Sequence, residues 1–133
     1  MSEKAEVLAR HVSPDGHLVL RAERESEADG RLVYSLGFEG QPWHLHPDFF
    51  MKQDERSIEQ MTFDLIGDVI SDRMLIVIAT SPGHRETRIV DTLESEVDYK
   101  PIDIGLTFRF WSGRQVSIED LIDGRVTFKP LCE

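Results

Sequence analysis

The residues best suited to chemistry crowd into one short stretch, Trp43-His44-Leu45-His46-Pro47-Asp48. In extended backbone, side chains two positions apart project from the same face, so His44, His46 and Asp48 are set to converge on one divalent cation. Two imidazoles and a carboxylate suit zinc or non-haem iron, and open positions beside them would permit hydrolysis or oxygen activation. Pro47 restricts the backbone just before the carboxylate. The competing expectation is structural: His44 and His46 hydrogen-bond backbone at a sheet end, while Trp43 packs on the core rim. His11, His17 and His84 are single residues near turns and add no ligand pair.

A second group of residues has the character of a partner-binding surface. Asp91, Glu94, Glu96, Asp98 and Asp103 are relieved only by Lys100. Such a cluster attracts a basic partner or a divalent cation, or it serves only as a solvated face. Asp64 and Asp68 are spaced one helical turn apart on an expected polar arc, where like charges cost a few tenths of a kcal/mol. Arg109 and Trp111 fall on the expected outward face of a strand. Both residue types are enriched at binding hot spots. The alternative is that a terminal segment containing Leu131 covers Trp111. The residues assigned to partner binding are Trp43, Arg109, Trp111, Asp91, Glu94, Glu96 and Asp98.

Motifs for other chemistry are missing. The chain contains no GxGxxG, no GxxxxGK[ST], no GxSxG and no HExxH. Its one thiol, Cys132, lies beside the C-terminus, a poor place to build the supporting shell of a nucleophile. No catalytic residue is assigned, and the chain is expected not to be an enzyme.

The elements that must position these residues are legible as patterns. Ser13-Pro14-Asp15-Gly16 is turn chemistry between extended segments 7–12 and 17–24. Glu27-Ala28-Asp29-Gly30 makes the next turn. Leu32, Tyr34, Leu36 and Phe38 then alternate with polar or small residues, predicting a strand over 31–39 with that row inward. From about Asp54 the period becomes 3.6, with Ile58, Met61, Leu65, Ile66, Val69 and Ile70 on one helical face. Ser57 followed by Gln60 fits a capping box, and Asp54 is the alternative cap. Met74–Ala79 is branched and apolar throughout, the pattern of a central strand buried on both faces. A weaker strand over 86–93 precedes a charged loop, and Ile104, Leu106, Phe108 and Phe110 mark another strand over 104–111. Ser117–Ile122 fits one helical turn closed by Gly124, and Val126 and Phe128 suggest a short last strand.

Strands, a helix and further strands in that order predict an α+β fold. The expected architecture is a mostly antiparallel curled sheet of five to seven strands. One main helix over about residues 55–72 packs on it around a lone apolar interior. The 133 residues, 40% hydrophobic and 30% charged, suit a single domain spanning 1–133 without disulfide or structural metal. The single cysteine argues against an oxidising compartment. The opening residues have no apolar signal core, and the longest apolar run, Met74 to Ala79, is too short to span a bilayer. A cytoplasmic location is therefore expected. With 25 acidic against 15 basic side chains the net charge is −10, which repels nucleic acid and anionic membranes and favours a basic protein partner.

The segments Leu36-Gly37-Phe38-Glu39-Gly40-Gln41-Pro42-Trp43-His44-Leu45-His46, Tyr99-Lys100-Pro101 and Phe108-Arg109-Phe110-Trp111-Ser112-Gly113 resemble a group of short bacterial proteins of uncharacterised function. That resemblance carries no catalytic residues with it. In size, acidity and α+β pattern the chain is also similar to bacterial immunity proteins that neutralise toxins. Three expectations follow. The first is a non-enzymatic protein-binding module, an antidote to a basic toxin being one form of it. The second is a metal binder or metal-dependent enzyme using His44, His46 and Asp48. The third is a structural subunit whose outward aromatic strand pairs in a homo-oligomer.

Overall fold

The computed structural model describes residues 5–41, 44–47, 57–92 and 105–131. The architecture is α+β and its strand pairing antiparallel, but the strands divide into two sheets of four rather than one curled sheet. In the first sheet β1 (Ala5–Val12), β2 (Val19–Ser26), β3 (Leu32–Phe38) and β4 (His44–Leu45) lie side by side in chain order. The second contains β5 (Ile76–Ser81), β6 (His84–Ile89), β7 (Gly105–Arg109) and β8 (Gln115–Val116). Its spatial order is β6-β5-β7-β8. Between the sheets in sequence runs α1 (Ile58–Ile70), and α2 (Ile118–Ile122) follows β8. Among the described residues the first sheet ends at β4, and β5 finds both neighbours among strands that follow it.

Local chemistry sets these boundaries. Ser13 Oγ donates to Asp15 Oδ1 and accepts from the Leu18 amide, closing the β1–β2 turn, and Gly16 supplies the positive φ of 76° that it needs. The Ser57 hydroxyl accepts from the Gln60 amide at 3.0 Å, so Ser57 caps α1; Asp54 lies outside the described residues. Ser117 caps α2 in the same way, through the Asp120 amide.

The apolar interior is two clusters. The second sheet separates them, which corrects the expectation of a lone core. Leu20, Ala22, Leu36 and Phe38 of the first sheet meet Leu65, Ile66 and Val69 of α1, with Met74, Ile76, Ile89, Trp111 and Leu131. On the other face Leu75, Val77, Val90, Phe108 and Phe110 pack with Leu121 of α2. The continuous run Met74–Ile78 is thus buried on both faces, as its composition predicts. Val126 and Phe128, expected to form a strand, are partly buried against the second cluster without one.

Leu32, Ile70 and Asp68 depart from the expected faces. Leu32 is 45% exposed, because it pairs with Ser26 at the far end of β2 and β3. Ile70 is exposed at the last position of α1. Asp68, expected on the polar arc, is buried because Lys129 of the C-terminal tail covers that flank of the helix. No helix among the described residues is long and apolar enough to cross a membrane.

Candidate functional site

Strand β4 positions the two histidines through pairing of Leu36 with Leu45 and of Gly37 with His44. Leu45 points into the core, which turns its neighbours His44 and His46 to the opposite side. Their rings meet edge to face with centroids 5.3 Å apart. His46 Nδ1 lies 2.8 Å from the Tyr34 carbonyl oxygen. A carbonyl only accepts, so Nδ1 is the donor in this contact. This is the arrangement a ligand histidine adopts, and equally that of a histidine anchoring a sheet end. Among the described residues no three His, Cys, Asp or Glu side chains gather where a metal could bind. Asp48, the expected third ligand, lies outside them, as does Trp43.

The outward face of the first sheet forms an open groove of about 520 Å3, floored by Leu36, Gly37 and Phe38 and bordered by Arg21, Glu39 and His44. Its geometry follows from register. Arg10 pairs with Arg21, Arg21 with Gly37, and Gly37 with His44. Two guanidiniums, a glycine gap and an imidazole therefore form one row across four strands. Glu39 bridges this row: Arg10 Nε donates to its Oε2, and Arg21 Nη1 lies 3.6 Å from the same atom. The Arg10 hydrogen bond holds the Glu39 carboxyl below its usual range, with Arg21 adding to the effect. Arg21 Nε is 2.8 Å from Glu23 Oε1 at an angle that makes no hydrogen bond. Gln41 closes one end, where its Oε1 accepts from the Thr87 amide at 3.1 Å and ties the groove to the second sheet.

The expected hot-spot pair lies elsewhere. Arg109 and Trp111 are buried, at 5% exposure each, which corrects their outward placement. The β1–β2 turn folds over the end of β7, and the Arg109 guanidinium is consumed there. It donates to Asp15 Oδ2 at 2.7 Å and to the Phe110 and Trp111 carbonyls. Trp111 shares its cluster with Leu131, so the alternative in which the terminal segment reaches that tryptophan describes it. Of the acidic candidates, Asp91 is half-buried, while Glu94, Glu96 and Asp98 lie outside the described residues.

Sequence patterns missed the groove. Alternation in β2 marks Arg21 and Glu23 as outward, but only the pairing of β1, β2, β3 and β4 brings Arg10, Glu39 and His44 beside them. No protein-family model matches this chain, and no curated protein or solved structure does.

Proposed function

We propose that the chain is a protein-binding module that docks a basic protein without catalysing a reaction, in the manner of an immunity protein against a toxin. One observation carries this reading: the groove on the first sheet is open, polar and lined by charges held in place by one another. Small-molecule sites are usually concave and mostly apolar, whereas a polar face on a rigid sheet suits a protein surface. Glu39, fixed by Arg10 and Arg21, offers a basic side chain a carboxylate already ordered, so little entropy is lost on contact. The net charge of −10 adds long-range attraction for a basic partner.

The test is calorimetric titration against a basic protein, beginning with any whose gene adjoins the one for this chain. Affinity should fall steeply as salt rises, and Glu23→Lys with Glu39→Lys should weaken it at least about tenfold. Glu119→Lys, exposed on α2, should leave it unchanged. Salt-independent binding, or indifference to the groove substitutions, rules the reading out.

A second reading, a divalent metal site on His44 and His46, is favoured by the His46 Nδ1 contact to the Tyr34 carbonyl. Elemental analysis of the purified protein, and melting with added zinc for wild type, His44→Ala and His46→Ala, decide it. No bound metal and no zinc-dependent shift remove it.

A further inference from the structure

Of the four sheet edges, three are short or engaged. Strands β4 and β8 contribute two residues each, and the Thr87 amide of β6 is taken by Gln41. Strand β1 is different. It runs eight residues, Ala5–Val12, with no proline or lysine, and exposes Val7 at 47% and Val12 at 52%. A long edge of this kind is a template for another strand.

Antiparallel alternation settles which β1 backbone groups face outward. Ser13 N donates to Leu18 O, and Glu39 N donates to Val19 O. Counting from these, Leu20, Ala22 and Arg24 turn their peptide groups to β1, and Val19, Arg21, Glu23 and Glu25 turn theirs to β3. Their β1 partners divide accordingly. His11, Ala9 and Glu6 bond β2, while Val12, Arg10, Val7 and Ala5 present N–H and C=O to the outer edge, which no strand among the described residues pairs with. The bulge between Val7 and Ala9 shifts the phase by one residue, so that Val7 and Arg10 are both outward.

This phase makes β1 complementary to itself. We propose that β1 is the interface of a symmetric homodimer, pairing antiparallel with β1 of a second copy, Ala5 opposite Val12 and Val7 opposite Arg10. In that register every outward group meets an outward group, and opposed side chains share a face. A slip of one residue in either direction sets outward groups against inward ones, and a slip of two leaves Arg10 opposite Ala9 or Val7 opposite Leu8. The exposed Val7 and Val12 gain cover from Arg10 and Ala5 of the other copy. Glu6 falls opposite His11, an acid against a base, twice about the two-fold axis. The two first sheets become one sheet of eight strands. The strand expected to pair, 104–111, has β5 along one edge of β7 and β8 beside Phe108 and Arg109 on the other.

Light scattering across a concentration series reads the mass. The wild type should approach twice the chain mass, and Val7→Lys/Val12→Lys should stay at one chain mass. At dilute concentration both should melt alike, since the replaced side chains are exposed in the single copy. Glu6→Lys should weaken the dimer, and Glu6→Lys/His11→Glu should restore it. Leu32→Lys, at an exposed leucine of β3, should leave the mass unchanged. A wild type that stays monomeric throughout overturns the proposal, as does a dimer that survives Val7→Lys/Val12→Lys.

Discussion

Arg109 Nη1 and Asp15 Oδ2 stand 2.7 Å apart, although 94 residues separate them in the chain. Their contact pins the β1–β2 turn of the first sheet to the end of β7 in the second. The guanidinium is buried and also donates to the Phe110 and Trp111 carbonyls, so burial withdraws it from a partner's reach.

Removing that side chain should be costly. Arg109→Ala strips a hydrogen-bond partner from Asp15 and one donor from each of two carbonyls, of which that of Phe110 keeps the Gly113 amide. We expect a loss of about 2–4 kcal/mol, toward the lower side of a fully buried pair because Asp15 keeps 29% of its side chain in water. Urea denaturation of the variant measures it; a loss indistinguishable from zero would show that the latch does not hold the sheets.

The same pair sets a pH dependence. Hydrogen bonds from Arg109 first, and then from the Ser13 hydroxyl, hold the Asp15 carboxyl well below the usual carboxylate range. A lowered folded-state pKa means that the unfolded chain takes up the proton first. The stabilisation is therefore complete above the unfolded value of about 3.9 and lost as pH falls below it toward the folded one. Denaturation midpoints should show no pH-dependent change from Asp15 between neutrality and about pH 5, where its stabilisation is complete. Below about pH 4 the wild type should lose more stability than Asp15→Asn. Parallel curves for the two proteins through the acid range would refute this.

Asp68 anchors the tail. Lys129 Nζ reaches its Oδ2 at 2.7 Å and Arg73 Nη1 reaches its Oδ1 at 3.2 Å. Beside them the Lys129 amide donates to the Arg73 carbonyl and the Leu131 amide to the Val90 carbonyl. In Asp68→Ala these two amides should exchange hydrogen faster, with a stability loss of about 1–3 kcal/mol. Unchanged exchange at Lys129 and Leu131 would mean that the tail is held by Leu131 packing alone.

Ser57→Ala tests the start of α1. It removes the acceptor for the Gln60 amide and should cost about 1 kcal/mol, seen as a lower denaturation midpoint with an unchanged slope. A variant as stable as the wild type would place the effective cap upstream.

What the sequence determined by itself is local. Alternation of Leu32, Tyr34, Leu36 and Phe38 placed an inward row that holds from Tyr34 on, the 3.6-residue period placed Ile58, Met61, Leu65, Ile66, Val69 and Ile70 on one face whose two ends are less covered, and the apolar run Met74–Ala79 marked a strand that is covered on both sides as far as Ile78. Each of these patterns reports which residues of one element share a face. None reports what lies over it. Tertiary structure alone decided that the strands form two sheets, that Arg109 and Asp68 are buried, and that Arg21, Glu39 and His44 gather in one groove with Arg10 bonded to Glu39. The physical reason is distance along the chain. Asp15 with Arg109 and Asp68 with Lys129 are 94 and 61 residues apart, and a charge reads as exposed until the segment that neutralises it has folded back.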